Sequence, residues 1–176
     1  MARERGLSAA PVLLGLLLPG PKHGYELHQE FAESLGAVWQ VGLSQMYAHL
    51  KALEDGGLVT CQTEMQGNRP PRKVYSITDQ GREYFLQWLH EPTPQIRGIR
   101  LEFLSRLFLF HRLELPGLHD LIERQKALCQ ARAEALSRLA SETADPFLRL
   151  VHQFRRGQVE AVIRWLDTCQ ETYDSD

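Results

Sequence analysis

The chain has 176 residues, enough for a hydrophobic core and for one or two domains. Hydrophobic residues make up 43% and charged residues 24%, which excludes a disordered or fibrous chain. The net charge of -2 means that any contact with nucleic acid must come from locally clustered positive charge. Three widely separated cysteines argue against a secreted disulfide framework, so we expect a cytoplasmic protein.

The first predicted element is a buried helix over residues 9–18, which are apolar almost all round. Pro19, Gly20 and Pro21 end it, because proline cannot donate a backbone hydrogen bond and clashes with the preceding turn. The apolar run is too short to cross a bilayer, and no small-residue cleavage site follows it. We therefore expect no membrane partner and no export.

A second helix is predicted over residues 24–35, with Leu27, Phe31 and Leu35 on one stripe. Lys22 and His23 stand directly before its first turn. The unpaired N–H groups and the dipole at a helix start favour an anion, so these two residues are candidates for contact with a DNA phosphate. The alternative is a capped helix start exposed to water.

The third helix carries the pattern on which the functional prediction depends. One set of apolar residues recurs every three or four positions and predicts a buried stripe: Leu43, Met46, Leu50 and Leu53. The residues expected on the outer face and its flanks are Ser44, Gln45, Tyr47, Ala48, His49, Lys51 and Ala52. This surface is polar and nearly free of acid, and its hydrogen-bonding groups suit base edges in a DNA major groove. The alternative is an ordinary amphipathic helix with a hydrated outer face.

A β-hairpin is predicted after this helix. Gly56 and Gly57 end the helix, and β-favouring residues follow on either side of a proline-containing turn. The turn and the return strand carry three cations, Arg69, Arg72 and Lys73. No acidic residue occurs from position 66 to position 76, so the hairpin suits a phosphate backbone or a minor groove. A hydrated basic turn is the alternative. A helix followed by a basic hairpin predicts a winged helix-turn-helix.

The rest of the chain is predicted to be helical. A helix over residues 80–90 precedes the sequence Glu-Pro-Thr-Pro, which breaks the chain and is the candidate boundary. Asp145 and Pro146 begin a last helix whose expected inward residues are Phe147, Val151, Phe154, Val162, Trp165 and Leu166. The predicted fold class is mainly α with a small β-hairpin. It comprises a winged helix-turn-helix domain at residues 1–91 and a C-terminal α-helical dimerisation domain at residues 95–176.

The sequence offers no constellation for catalysis. It lacks the Gly-x-Ser-x-Gly and His-Glu-x-x-His motifs, and its seven histidines are scattered. We therefore expect no catalytic residues, no metal and no cofactor.

Several short segments together resemble the PadR family of transcriptional regulators. They are His23-Gly24-Tyr25-Glu26-Leu27, Ser44-Gln45-Met46-Tyr47-Ala48-His49-Leu50, Gly57-Leu58-Val59 and Arg72-Lys73-Val74-Tyr75-Ser76-Ile77-Thr78. Arg156-Gly157 followed by Trp165-Leu166 is similar to the subgroup with a longer C-terminal region. The resemblance implies C-terminal helices that interlock with those of a second copy. It also implies phosphate contacts from Tyr47 and from the basic hairpin.

The same resemblance implies a small-molecule pocket between the winged domain and the dimerisation helices. Trp88 and Trp165 are candidates to line it, with core packing as the alternative role of each. We therefore expect a sequence-specific DNA-binding regulator, a homodimeric repressor on a palindromic operator, with release by a small-molecule effector as an option. The alternative is a winged-helix protein–protein interaction module without specific DNA binding, which the near-neutral charge leaves open.

Overall fold

A computed structural model of the chain describes residues 8–66 and 69–173, apart from the side chains of residues 66, 69 and 70. The elements are α1 (Ala10–Leu16), β1 (Lys22–His23), α2 (Gly24–Leu35), α3 (Leu43–Asp55), β2 (Val59–Gln66), β3 (Arg69–Ile77), α4 (Asp79–His90), α5 (Ile96–Gly98), a π-helical turn (Ile99–Phe103), α6 (Leu104–Arg112), α7 (Leu118–Glu142) and α8 (Pro146–Tyr173). The predicted class, mainly α with a small β element, is confirmed. Among the described helices, none is both long enough and apolar enough to cross a bilayer.

The chain divides into two compact units. The first contains the chain up to Glu91 together with Arg100–Glu114, and the second contains Pro92–Ile99 and the chain from Leu115. This division differs from the predicted boundaries in one segment, because α6 belongs to the first unit and not to the C-terminal one.

Helix α1 lies in the core of the first unit and explains why α6 belongs there. Its residues 11–16 are all buried. A Cβ at Gly15 would lie 2.7 Å from Phe85 Cε2 and 2.8 Å from Leu109 Cδ2. Only glycine therefore lets α4 and α6 pack this closely on α1. Sequence periodicity identifies an apolar helix at α6 but does not reveal which neighbours cover it.

The sheet has the order β1-β3-β2, with both pairs antiparallel. Strands β2 and β3 form the predicted hairpin, whereas β1 is a third strand that the sequence did not predict. Strand β1 pairs Lys22 with Tyr75 and His23 with Val74. Two residues are too few to show an alternating pattern, so only the folded chain reveals this strand.

Glycines and a threonine join α3, the hairpin and α4. Gly57 is left-handed, with φ 70°, and the N–H groups of residues 57 and 58 donate to carbonyls of the last turn of α3, both at 2.9 Å. This Schellman pattern confirms the predicted helix stop. The Thr78 hydroxyl donates to the Gly57 carbonyl at 2.8 Å and accepts the Gly81 N–H at 3.0 Å. The start of α4 is thereby fixed beside the end of α3.

The second unit is built on a helical hairpin of α7 and α8. Its buried seam consists of Leu121, Ile122, Cys129, Leu136, Val159, Leu166 and Cys169. Lys126 of α7 reaches α8, where its Nζ lies 2.9 Å from Asp167 Oδ1 and donates to Gln170 Oε1 at 3.1 Å. The Asp145 carboxylate accepts the Phe147 N–H at 2.8 Å, so the predicted cap of the last helix is confirmed.

A buried glutamine attaches the segment before α5 to α7. Gln125 is 1% exposed. Its side-chain oxygen accepts the Thr93 N–H at 2.6 Å, and its side-chain amide donates to the Thr93 carbonyl at 3.1 Å. One side chain therefore pairs with both backbone groups of Thr93, which explains how a polar residue is accommodated inside an apolar seam.

Two aromatic residues of α8 contradict the prediction from the sequence. Phe147 and Phe154 were expected inside, but their exposed fractions are 70% and 68%. At 100° per residue, the exposed residues near the start of α8 are centred roughly 100° around the helix from the buried Val159 and Leu166. Because one neighbouring helix buries only one side, α7 leaves this other face uncovered. Leu166 is buried as predicted.

Replacing Gln125 with Leu is expected to destabilise the second unit. The substitution removes two hydrogen bonds to the buried backbone of Thr93, and each contributes about 0.5–1.5 kcal/mol. We expect the free energy of unfolding to fall by about 1–3 kcal/mol in urea titrations at one fixed protein concentration. Gln130→Leu, at an exposed position of the same helix, is the matched control. Equal effects of the two substitutions would contradict the stabilising role of this pairing.

Candidate nucleic-acid interface

The outer face of α3 is exposed in the manner that the sequence predicts. The exposed residues are Ser44, Gln45, Ala48, Lys51 and Ala52, and the buried ones are Met46, Leu50 and Leu53. The first turn contains no acidic residue. A Cβ added to Gly42, the residue before the helix, would meet no heavy atom within 4 Å. The start of α3 therefore stands clear of the other described residues.

Leu43 departs from the predicted pattern. The three-four spacing assigns it to the buried stripe, but 40% of its surface is exposed. Helical side chains lean toward the N-terminus, and the first residue of a helix has no preceding turn to cover. The predicted stripe is therefore correct from Met46 onward and wrong at the end of the helix.

Tyr47 attaches α3 to the start of α2. A Cβ at Gly24 would lie 2.6 Å from Cε1 and 3.1 Å from the hydroxyl oxygen of Tyr47. The tyrosine ring thus occupies the space that any side chain at Gly24 would need. The ring is nevertheless 40% exposed, so one side packs on α2 and the other is accessible to a ligand.

Two titratable groups in this region are largely uncharged at neutral pH. Partial burial lowers the pKa of His49 below its ordinary value of 6.5. Burial, and after it the neighbouring Cys61 thiol, raises the pKa of Tyr75 to about 12. A neutral imidazole has one donor and one acceptor nitrogen, which suits His49 for hydrogen bonds to bases. Lys51 is the cation on the outer face, and its Nζ lies 3.8 Å from an exposed carboxylate oxygen of Asp55.

Lys22 and His23 are already engaged by carboxylates. The Lys22 Nζ forms an ion pair with Glu30, and the His23 N–H donates to Glu26 Oε2 at 2.9 Å. The His23 Nε2 lies 4.0 Å from Glu64 Oε2. The start of α2 is therefore capped, which is the second of the two alternatives for this segment. A phosphate could bind these residues only by displacing the carboxylates.

Strand register adds an acidic residue to the basic hairpin. Arg72 and Lys73 are exposed on β3, while the side chain of Arg69 lies outside the described residues. Glu64 of β2 stands directly opposite Arg72, and Thr63 stands opposite Lys73. The hairpin is thus free of acid along its return strand but not across the ladder, where opposed residues interact.

Met65 is a strongly exposed apolar residue of the hairpin, at 81%. The ladder is irregular between Glu64 and Gln66, across from Pro70 and Pro71, which have no N–H to donate. Irregularities of this kind re-aim a side chain. The paired prolines are the signal in the sequence from which this exposure was predictable.

The two tryptophans that the sequence analysis assigned to an effector pocket have different surroundings. Trp88 is buried in the first unit, with the Arg106 guanidinium carbon 4.5 Å from its ring centroid. Its carbonyl accepts the Arg106 Nε–H at 2.9 Å, and burial lowers the pKa of Arg106 to about 10. Core packing therefore accounts for Trp88. Trp165 is half-buried on α8.

Potential metal ligands do not gather in the described part of the chain. No three side chains of His, Cys, Asp or Glu within residues 8–66 and 69–173 come close enough together to hold a metal ion. Burial raises the pKa of the Cys129 thiol, and raises that of Cys169 to about 11. Both thiols are therefore held in the protonated form, which is not the form that binds metals.

Two family models match the chain in consecutive segments. Residues 13–87 match the PadR-like family of transcriptional regulators, and residues 99–174 match the C-terminal region of virulence activator alpha. The first match covers the helix, strand and turn segments described above, from the end of α1 to α4.

Individual proteins are similar over larger parts of the chain. The negative transcriptional regulator PadR of Bacillus subtilis is 34% identical over 126 residues, which cover 70% of this chain and 68% of that protein. The "probable transcriptional regulator" of Mycobacterium tuberculosis is 31% identical over 166 residues, covering 84% of this chain and 88% of that protein. The crystal structure of Bacillus subtilis PadR in complex with operator DNA aligns over 93% of this chain and 96% of that one, with 26% identity and a TM-score of 0.48.

Proposed function

Because the chain belongs to the PadR-like family of transcriptional regulators, we propose that it is a cytoplasmic homodimeric repressor that binds a palindromic operator. The observation that carries this proposal is the exposed start of α3, which contains no acidic residue. Helix-turn-helix proteins insert the N-terminal residues of a recognition helix into the major groove, where they contact base edges. Residues 42–45 are exposed in succession and offer a hydroxyl and a carboxamide there.

Base reading and backbone anchoring fall to different residues in this proposal. The base-reading set lies on α3 and consists of Ser44, Gln45, Ala48, His49 and Lys51. The phosphate-binding set consists of Lys22, His23, Tyr47, Arg69, Arg72 and Lys73. Cations bind phosphates whatever the sequence, whereas a glutamine carboxamide distinguishes one base pair through two hydrogen bonds.

The uncovered apolar surface of α8 supports the homodimer. It consists of Phe147, Leu148, Leu150 and Phe154, whose exposed fractions lie between 43% and 70%. Monomeric proteins rarely leave a contiguous apolar surface of this kind in water. In a two-fold dimer the same surface of both copies becomes buried, and the two winged units meet half-sites about one helical turn, or a multiple of a turn, apart.

Repression is the direction of regulation that the Bacillus subtilis relative supports, since that protein is a negative regulator. A small-molecule effector would act by changing the separation of the two winged units, because a two-fold dimer fits its operator at one spacing only. Of the two tryptophans, the half-buried Trp165 is the more accessible candidate for contact with an effector.

Selection of bound duplexes from a random pool, with the purified full-length chain, tests this proposal. We expect the enriched sequences to contain two inverted half-sites at a constant spacing. The same experiment separates the proposal from its alternative. If no duplex is enriched even at low ionic strength, a protein–protein interaction module becomes the better account of the chain.

Gln45→Ala and Arg72→Ala are expected to weaken operator binding in different ways. Loss of the Gln45 carboxamide should cost about 1–3 kcal/mol and relax the preference at one base pair of each half-site. Loss of Arg72 should weaken all sequences similarly and reduce the slope of log K against log salt by about 0.9 per contact. Titrations of selected and scrambled duplexes at two salt concentrations distinguish these effects. Identical behaviour of the two variants would contradict the division between reading and anchoring.

Glu30→Gln is expected to strengthen operator binding. The substitution removes the carboxylate that pairs with Lys22, so that a phosphate no longer competes with it. We expect an increase in affinity of about two- to fivefold, the scale of a partly exposed ion pair. Glu33→Gln is the matched control, because it removes the same charge from an exposed position of the same helix. Equal increases for both variants would argue against contact between Lys22 and phosphate.

Phe154→Glu is expected to dissociate the homodimer, because it introduces a charge into a surface that the second copy buries. Sedimentation velocity should show a dimer dissociation constant raised by more than about tenfold, accompanied by weaker operator binding. Gln153→Glu adds the same charge at the neighbouring exposed residue and should leave the dimer intact. A dimer that tolerates both substitutions does not use this surface.

A further inference from the structure

We infer that Leu43 contacts the C5-methyl group of a thymine in each operator half-site, an inference that rests on the proposed insertion of α3 into the major groove. Thymine presents the only apolar group on the base edges of that groove. Leucine cannot form a side-chain hydrogen bond, so a methyl group is the feature of a base edge that it can recognise.

The position of Leu43 leaves it no partner surface in the first unit to cover. It is the first residue of α3 and the one apolar side chain among the exposed residues 42–45. Its side chain leans past the N-terminal end of the helix, where the position of Gly42 has no heavy atom within 4 Å of an added Cβ. The leucine therefore projects from the part of α3 that enters the groove first.

Contacts behind the helix hold this side chain in position. Leu43 and Tyr47 are four residues apart and lie on the same flank of α3. The Tyr47 ring is fixed against Gly24, with 2.6 Å between its Cε1 and the position of an added Cβ. An apolar residue on a supported helix end loses little conformational freedom when a methyl group packs against it, which favours a selective contact over an incidental one.

Replacement of single thymines by deoxyuridine measures the contact directly, because it removes only the C5-methyl group. The duplex is the operator obtained by selection, and binding is measured by fluorescence anisotropy with the full-length chain. We expect one thymine in each half-site at which the replacement weakens binding roughly fourfold, the equivalent of one buried methyl group. Leu43→Ala should bind the thymine and uracil duplexes equally at that position. Leu43→Met, which keeps an apolar side chain, should retain the discrimination.

Leu86→Ala is the matched control, since Leu86 is an exposed leucine of α4 in the same unit, at 36%. It should show the same profile of thymine sensitivity as the unaltered chain. The inference is overturned if no thymine is sensitive, or if Leu43→Ala retains the sensitive position. In both cases the selected operator still stands as evidence for DNA binding. If the selection yields no operator, the proposed function fails, and the inference fails with it.

Discussion

The pairing of β1 with β3 is the constraint on which the geometry of the candidate interface depends. Lys22 and His23 add a third strand to the hairpin, and the next residue, Gly24, begins α2. Gly24 also leaves the space that the Tyr47 ring of α3 occupies. Within three residues the chain thus connects the wing, the second helix and the recognition helix. The hairpin and α3 therefore cannot shift independently, which gives a rigid pair of surfaces for a rigid ligand such as duplex DNA.

The same convergence brings acidic side chains to the cations of the interface. Glu30 pairs with Lys22, and Glu64 lies beside His23 and opposite Arg72. A phosphate that reaches these cations exchanges one negative partner for another, so the net gain in free energy is a difference between two similar interactions. Affinity from one winged unit is therefore modest, and a second copy of the unit on the same DNA supplies the rest. This explains how a chain of net charge -2 can serve as a reader of a polyanion.

The sequence by itself determined the elements and most of their ends. The outer face of α3, the stop at Gly57 and the caps at Thr78 and Asp145 all depend on residues within one or two helical turns of each other. Such short-range patterns are legible without knowledge of the fold, because periodicity and capping are local. The family was likewise recognisable from ordered motifs in the first half of the chain.

Only the tertiary structure decided which surfaces are covered and which charges meet. Strand β1 is too short to have a pattern, and the opposition of Glu64 and Arg72 follows from register. The exposure of Leu43 and of Phe154 depends on where a covering neighbour ends, and α6 joins the first unit because Gly15 admits it. Periodicity shows that a face is apolar, but burial is a property of what lies against that face, and distant parts of the chain supply it.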